Sequence, residues 1–209
     1  GFKADQLVVE TITPPETFAS EGPRDIRYSR DLTVARDLRQ GSITLTGNPL
    51  DLAMEGEGYF TVQGPDGPLY TRDGAFSLDG AGQLVTRDGR PVLSQAGAPI
   101  VIDPRSEQPT IDRQGVIRIA GVEAGRVGVA GFDRPGALER IGENLWDAAG
   151  QPPISAEGQV IQGALEDSNV IAIVEMTNLI QISRAYESAA RVVRSADDLR
   201  QRAIDRLGR

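Results

Sequence analysis

Three carboxylates lie close together in the sequence, at Asp51, Glu55 and Glu57, and their type and spacing are the ones best suited to chemistry. If Glu55 and Glu57 belong to one strand, their spacing places both side chains on the same face. A pair of carboxyl groups can divide the acid and base or nucleophile roles of glycoside hydrolysis. The chain has 30 acidic residues, however, so such pairs arise easily by chance. Hydrolysis is therefore kept as an alternative that needs a defined acid and base.

The other groups that commonly carry catalysis are absent from the composition. The chain contains no Cys and no His, which excludes a thiolate nucleophile, a disulfide, a Cys/His zinc site and a Ser-His-Asp arrangement. Gly56-Glu57-Gly58 is a lone GxG without a predicted helix after it, so it indicates a close backbone approach in a strand rather than a nucleotide loop. We therefore expect no enzyme, no cofactor and no bound metal.

Charge and hydropathy restrict the partners. Asp and Glu outnumber Lys and Arg, giving a formal net charge of -8, whereas nucleic-acid binding needs clustered basic residues. The longest apolar run, Val170 to Val174, is far shorter than the roughly 20 residues that span a bilayer. We predict neither a nucleic-acid partner nor membrane insertion. The chain opens on Gly-Phe-Lys without Met or a signal-peptide pattern, which we interpret as the trimmed end of a longer protein.

The elements that position these residues begin with a region of short strands at 41–150. Segments rich in β-branched and aromatic residues alternate with turn dipeptides such as Asp66-Gly67 and Asp88-Gly89, in which Gly and Asp tolerate positive φ. This spacing predicts an antiparallel sheet or a small barrel. The turns are similar but the strands between them show no common register, so no solenoid is predicted. Trp146 is expected to be partly exposed. The expected core aromatic residues are Tyr59, Phe60, Tyr70 and Phe76.

The flanking segments complete the predicted fold class. Residues 1–40 are polar and interrupted by Pro, which predicts an extended connector with one strand at Leu32–Val34, and residues 151–167 predict a return connector. Residues 168–207 contain neither Pro nor Gly and predict one amphipathic helix capped by Ser168 or Asn169. The prediction is an α+β chain: a mainly antiparallel β domain of short, turn-rich strands, an extended connector and a long C-terminal α-helix.

Apolar residues recur along this helix at steps of three and four, as in a heptad seam. A helix of this length measures roughly 57 Å, which exceeds the diameter expected from a radius of gyration of roughly 17 Å, so part of it is expected to project. Arg184 and Glu187 are predicted to set the register beside the seam. The alternative is a helix that simply packs on its own β domain. The predicted subunit-packing residues are Ile173, Met176, Leu179, Ile180, Tyr186, Ala190, Val193 and Leu199.

Three stretches together resemble the flagellar basal-body rod and hook protein family. GFKAD at 1–5 is similar to the segment that follows the family's N-terminal helix. The block at 41–85, with TGNPLDLAMEGEGYF and YTRDGAF, and the stretch at 163–187, with LEDSNV and RAYE, resemble its two further signatures. The residues of these motifs are Thr46, Gly47, Asn48, Pro49, Leu50, Asp51, Gly58, Phe60, Tyr70, Thr71, Arg72, Glu166, Ser168, Asn169, Val170, Arg184 and Tyr186.

The resemblance implies a fold and a function. Its members pair an N-terminal and a C-terminal helix in an axial coiled coil with a β domain outside, so an N-terminal helix is expected upstream of Gly1. It implies a structural subunit that polymerises with other rod subunits and transmits torque in the periplasmic part of the basal body. Export is expected through the flagellar type III apparatus without a cleaved signal. The chain length and the small β region argue against the larger hook subunit; the proximal rod fits best, with the distal rod as the alternative.

Several alternatives stay open beside this interpretation. Asn48-Pro49-Leu50-Asp51 has turn chemistry, and a sharp corner is favoured over an intersubunit contact as the reason for the motif. A peptidoglycan-cutting enzyme is a further candidate partner, because a rod crosses the cell wall. Two rival functions come from other classes: a carboxylate-dependent cell-wall hydrolase that uses Glu55, and a β-domain adhesin or binding module that remains monomeric.

Overall fold

The computed structural model describes residues 5–12, 28–36, 38–142 and 144–207, which divide after Asn169 into two compact units. We call them the β unit and the helix unit. The helix unit contains α1 (Ala172–Leu207). The strands of the β unit are β1 (Asp5–Ile12), β2 (Tyr28–Arg36), β3 (Ile43–Leu45), β4 (Leu52–Glu55), β5 (Tyr59–Gln63), β6 (Pro68–Thr71), β7 (Ser77–Leu78), β8 (Leu84–Val85), β9 (Thr110–Ile111), β10 (Val116–Ile119), β11 (Val122–Arg126), β12 (Val129–Ala130), β13 (Glu139–Arg140), β14 (Leu145–Asp147), β15 (Gln159–Gln162) and β16 (Ala164–Glu166).

The first two strands differ from the connector expected at 1–40. β1 and β2 pair antiparallel, with Asp5 opposite Arg36 and Ile12 opposite Tyr28. The strand predicted at Leu32–Val34 lies inside β2, and β1 was not predicted. β1 is rich in β-branched residues, which favour extended structure, but its pairing with β2 joins segments far apart in sequence. The prolines and charges between them hid this pairing from a local reading.

The pairings of the β unit are antiparallel throughout its described residues, which confirms the α+β fold class. The largest sheet has the order β12-β5-β6-β14-β13, and a second has the order β11-β10-β9. Three two-stranded ribbons, β7–β8, β4–β15 and β3–β16, complete this part of the chain. The last two ribbons pair the entering segment (β3 and β4) with the leaving segment (β15 and β16). The chain between β4 and β15 therefore starts and ends at the same place.

Two hydrophobic clusters lie on opposite faces of the five-stranded sheet. Neighbouring residues on a strand point to opposite faces, and on β5 Phe60 belongs to the first cluster while Tyr59 belongs to the second. Phe60 meets Phe76 edge-to-face at 5.4 Å between ring centroids. The four predicted core aromatic residues are all buried, so that prediction is confirmed.

Trp146 does not have the exposure predicted for it. Its side chain is only 3% exposed, and it packs in the second cluster. The cause is strand pairing: β14 lies beside β6, where Trp146 is directly opposite Tyr70. The guanidinium of Arg140 covers the indole at 5.9 Å from the ring centroid. Trp146 is therefore a core residue rather than a candidate contact surface.

Four turns of one kind shape the β unit, starting at Asp79, Thr86, Ser94 and Asp112. In each, the N–H of a glycine three residues on donates to the first residue's carbonyl, and the N–H four residues on donates to its side-chain oxygen. Those glycines, Gly82, Gly89, Gly97 and Gly115, have φ between +77° and +80°, a region in which glycine carries no Cβ penalty.

The strands between the first three turns share a register that the sequence pattern did not predict. Leu84 N–H donates to Ile100 O at 2.9 Å, Val92 N–H to Leu84 O at 2.8 Å, and Ile100 N–H to Val92 O at 3.0 Å. These three buried residues therefore form a closed ring of backbone hydrogen bonds. The side-chain pattern indicated that the strands between these turns lack a common register. The backbone hydrogen bonds show that this prediction was wrong for the segments at Leu84, Val92 and Ile100.

Helix α1 begins four residues later than predicted, because the preceding chain is held in the β unit. Asp167 N–H donates to Ser42 O at 2.8 Å, and Asn169 Nδ2 donates to Arg39 O at 3.2 Å. The first helical bond runs from Glu175 N–H to Ile171 O, so the helix starts beyond the expected caps. It has 36 residues and a length of roughly 54 Å. Within the described residues, no helix combines the length and the apolar character that crossing a membrane requires.

Candidate assembly site

The predicted packing residues of α1 are accessible to solvent. Six of them are between 50% and 77% exposed: Ile173, Met176, Leu179, Ile180, Tyr186 and Val193. Ala190 is half-buried, and Leu199 lies outside the residues whose side chains are described. Large apolar side chains exposed together are unusual on a soluble protein and mark contact surfaces. We call these six residues the apolar stripe.

Exposed apolar residues of α1 are not confined to the stripe. Val174, Ile182 and Val192 are also exposed, at 47%, 69% and 69%. At 3.6 residues per turn, Val174 and Val192 lie on the side of the helix away from Met176 and Leu179. A helix that is apolar on more than one side is normally one that is surrounded. The surface of α1 therefore suits contact on two sides.

The charges predicted to set the register form no ion pair in the described structure. Arg191 Nε donates to the backbone carbonyl of Glu187 at 3.4 Å, and Arg194 Nε donates to Ala190 O at 3.2 Å. Of the described ion pairs, none joins Glu187 to Arg184 or Arg191. A register-setting role for Arg184 and Glu187 stays a prediction.

The Thr46–Asp51 motif forms a closed corner. Asp51 N–H donates to Asn48 O at 3.1 Å, which closes a turn around Pro49. The two carboxylate oxygens of buried Asp51 accept from Thr46 Oγ1 at 2.7 Å and from Asn48 Nδ2 at 3.0 Å. These bonds are internal to the motif, so the favoured interpretation as a corner agrees with the geometry. A contact between subunits at this motif stays a prediction.

A single glycine on the leaving segment holds both ends of that corner. Gly163 O accepts from Thr46 N–H at 2.8 Å and from Gly47 N–H at 3.1 Å, while Gly163 N–H donates to Asp51 O at 2.8 Å. Its φ of +73° is one that glycine adopts without penalty. The corner thus projects as a loop between ribbons β3–β16 and β4–β15. We call β3, β16 and the residues Gly41, Ser42 and Asp167 the neck.

A buried ion pair lies where the neck meets the sheet. Arg72 Nη1 donates to Glu166 Oε2 at 3.4 Å, and these side chains are 7% and 0% exposed. Glu166 Oε1 also accepts from Gly41 N–H at 3.0 Å. The Arg72 guanidinium lies 5.1 Å from the centroid of the Tyr59 ring. Burial raises the pKa of Tyr59 despite the opposing effect of Arg72, so the phenol stays neutral at physiological pH.

The carboxylate arrangement considered for hydrolysis is not formed. Glu55 ends β4 while Glu57 lies beyond it, and both are exposed, so their expected position on one strand face was wrong. The reason is Gly56, which turns the chain at a φ of +90°. Gly58 does provide the close approach predicted for this segment, because a Cβ there would lie 2.9 Å from that of Ala156. Nor do the described acidic side chains form a group of three able to hold a metal ion.

Comparisons with known proteins decide the family. The model of the flagellar hook protein FlgE/F/G D1 domain matches residues 53–119, and that of the flagellar basal body rod FlgEFG protein C-terminal matches residues 161–206. The flagellar basal-body rod protein FlgF of Caulobacter vibrioides is 38% identical over 213 residues, covering 100% of this chain and 86% of that protein. This chain belongs to the flagellar basal-body rod protein family.

Other flagellar basal-body rod proteins match over similar lengths. FlgF of Mesorhizobium japonicum is 34% identical over 211 residues, with 100% of this chain and 83% of the relative covered. FlgG of Buchnera aphidicola subsp. Baizongia pistaciae is 33% identical over 229 residues, with 97% and 86% covered. FlgF is therefore better supported than FlgG. The second family model extends from the neck into α1, which are the two regions described above.

Sequence reasoning missed the roles of several polar residues in this rod-family chain. Arg72 and Glu166 were named only as motif residues, and nothing in their separate segments indicated a shared buried site. Gln162 was not singled out, yet its Nε2 donates to Pro49 O and Pro109 O, both at 2.8 Å, and its Oε1 accepts from Ile111 N–H at 3.0 Å. The only available signal was a polar residue that directly follows two apolar ones, Val160 and Ile161, on a short strand.

Proposed function

We propose that this chain is a structural subunit of the proximal flagellar rod and assembles by packing α1 against helices of neighbouring subunits. The names of its relatives support a rod subunit, and FlgF relatives support the proximal rod over the distal one. The observation that carries the packing mechanism is the exposed apolar stripe of α1. The β unit supplies a self-contained body, while α1 supplies the adhesive surface.

The energetics favour association through this stripe. Covering one Leu, Ile, Val, Met or Tyr side chain contributes about 1.5–3 kcal/mol, and six such side chains are exposed together on α1. In proteins, most of the stability of a helix comes from packing its apolar face rather than from helix propensity. A neighbouring helix that covers the stripe therefore stabilises both the contact and the helix. Since apolar residues also lie on the other side, α1 suits more than one neighbour, as in the core of an axial assembly.

Location and role follow from this proposal. Relatives named as basal-body rod proteins support a place in the basal body, and we propose the periplasmic part, reached by type III export without a cleaved signal. The role is mechanical: transmission of torque along a polymer with other rod components. A non-enzymatic role agrees with the family and with the exposed, separated positions of Glu55 and Glu57. The names of the relatives do not extend to a peptidoglycan-cutting partner.

Leu179→Asp tests the packing mechanism. We expect this variant to be lost from purified basal bodies and to abolish swimming, because a buried charge opposes helix packing. Its control is Asn178→Asp, which introduces the same charge at the adjacent residue, at an exposed polar position aligned neither with the stripe nor with Val174 and Val192, and should swim. Emission from buried Trp146 should show a folded β unit in both variants. Normal swimming of Leu179→Asp would contradict the proposed mechanism.

A complementation experiment separates the two rod positions. Expressed from its complete gene, the protein should restore swimming to cells that lack their proximal-rod subunit and not to cells that lack their distal-rod subunit. The reverse result would assign the distal rod. Failure in both, with the protein present in the cell, would argue against a rod function for this chain.

A further inference from the structure

The entering and leaving segments of the β unit meet the sheet at one carboxylate. Glu166 is on β16, Gly41 precedes β3, and Arg72 follows β6 of the five-stranded sheet. Glu166 Oε1 accepts from Gly41 N–H at 3.0 Å and Oε2 accepts from Arg72 Nη1 at 3.4 Å. One side chain of the leaving segment thus contacts both the entering segment and the sheet. We infer that the Arg72–Glu166 pair positions the neck on the sheet and makes it rigid.

The entering strand of the neck, β3, has few buried side chains to stabilise it. β3 is partly or fully exposed along its length, and Leu45 on it is 79% exposed. A two-stranded ribbon alone is marginally stable in water. The polar bonds from Ser42 Oγ and Thr44 Oγ1 to Asp167 Oδ2 are exposed, and exposed bonds to a carboxylate contribute little. Besides the backbone bonds of Gly163 and the buried Ala164, the buried polar contacts of Glu166 are therefore the ones that can fix the ribbon to the sheet.

The burial of the pair indicates positioning rather than bulk stability. Moving two charges out of water is costly, so a buried ion pair often stabilises no more than apolar residues of the same size. What it supplies is direction, since a guanidinium donates only in its own plane. Arg72 is itself held against Tyr59, which packs edge-to-face on Phe132 at 5.9 Å. Glu166 is thereby connected through Arg72 to the second hydrophobic cluster.

The two backbones of the neck approach each other closely at Gly41. A Cβ added to Gly41 would lie 2.1 Å from Asp167 O, so the entering strand touches the leaving strand directly. The chain continues from Asp167 through a few residues into α1. Given the proposed function, on which this step rests, torsional load carried by α1 reaches the β unit through the neck. A rigid neck would rotate together with the five-stranded sheet and would not twist relative to it under load.

Hydrogen exchange of the full chain tests the positioning role directly. In Glu166→Gln we expect the amides of the neck to exchange about tenfold faster or more, as local opening becomes easier, while β5 and β6 amides keep their rates. The matched control is Asp167→Asn, which removes the same charge from the next residue, at the surface, and should change neck rates less than about twofold. If Glu166→Gln does not fold, Arg72→Lys replaces it, with the same regional pattern expected.

Two results would overturn the positioning role. Unchanged neck exchange in both Glu166→Gln and Arg72→Lys would show that the pair does not fix the ribbon. A rise spread equally over the neck, β5 and β6 would show that the pair stabilises the whole unit instead. A rise confined to the neck supports the inference, whatever the function of the protein.

Swimming under load separates the inference from the proposed function. Cells carrying Glu166→Gln should build basal bodies that contain the variant, yet lose speed more steeply than Asp167→Asn cells as the viscosity of the medium rises. Variant-containing basal bodies with the load dependence of the wild type would overturn the mechanical part and leave the rod function standing. Absence of the wild-type chain from purified basal bodies would overturn the proposed function itself.

Discussion

The two methionines of the chain show how differently its two units use the same residue type. Met54 on β4 is 0% exposed and belongs to the first hydrophobic cluster, whereas Met176 on α1 is 66% exposed. Leu52 and Leu179 differ in the same way, at 0% and 67%. The β unit covers its apolar residues with its own sheet and turns. The helix unit keeps them at its surface, where a neighbouring molecule can reach them.

Polar side chains make the same distinction. In the β unit they join distant segments, as Asn144 Nδ2 does in donating to Asp73 Oδ2 at 3.0 Å. On α1 the hydroxyls of Thr177 and Ser188 donate to carbonyls one turn earlier, at 2.8 Å and 2.9 Å, which are local bonds that any helix allows. The structure of the β unit is therefore specified by its own long-range contacts, whereas that of α1 is specified mainly by local ones.

Exchanging each methionine for alanine would test this comparison with the largest expected effect. Met54→Ala should lower the free energy of unfolding by about 2–5 kcal/mol, because it leaves a cavity in the core. Met176→Ala should change it by less than about 0.5 kcal/mol, as expected for an exposed site. Urea denaturation followed by the emission of Trp146 measures the β unit specifically. Equal losses in the free energy of unfolding in the two variants would contradict the difference described between the two units.

A second pair of variants, Gly82→Ala and Gly89→Ala, sharpens the description of the β unit. The two glycines occupy the same place in two repeated turns and share a φ of +80°. A Cβ at Gly89 meets nothing within 4 Å, whereas one at Gly82 would lie 2.5 Å from Ile102 O. Gly89→Ala should therefore cost about 1–2 kcal/mol from backbone strain alone, and Gly82→Ala should cost more. A smaller loss in Gly82→Ala would show that the turn tolerates displacement of the backbone at Ile102.

The sequence predicted the features whose causes are local. The run without Pro or Gly at 168–207 marks α1, whose observed end at Leu207 agrees and whose start differs by four residues. The aromatic and β-branched residues of Tyr59–Val62 mark β5. The turn residues of Asn48–Asp51 predict their corner. In each case propensity and periodicity operate within a few residues, which is the range over which side-chain type determines backbone conformation.

What the sequence did not predict depends on distant partners. Arg72 and Glu166 are far apart in the chain, and each residue type, considered alone, is usually exposed. Trp146 is buried because β14 pairs with β6, and β1 forms because β2 returns beside it. The ring of Leu84, Val92 and Ile100 is formed by backbone hydrogen bonds. Because every residue type here has the same backbone groups, the side-chain sequence does not indicate it. Topology, rather than propensity, created each of these features.

The smallest expected effect concerns a surface carboxylate that the β unit positions for itself. The bond from Arg118 Nη1 at 2.7 Å, with a further bond from Val116 N–H, lowers the pKa of Asp112 below its ordinary value of 3.8. A carboxyl group with a depressed folded pKa stabilises the fold above its unfolded pKa and loses that contribution as the pH falls through its folded pKa. Stability should therefore decline slightly as the medium is acidified below about pH 4.

The Asp112 carboxyl resonance, followed by NMR titration, gives the measurement, and two arginines of this hairpin provide a matched comparison. Arg118→Gln removes the principal donor and should raise the pKa of Asp112 toward 3.8, whereas Arg113→Gln removes the same charge from a side chain bonded to Gln159 instead. Both partners of the Asp112–Arg118 pair are substantially exposed. Added salt should therefore reduce the difference in the pKa of Asp112 between the two variants. An equal rise in both variants would mean that the net charge of the hairpin, rather than the Arg118 bond, sets the pKa.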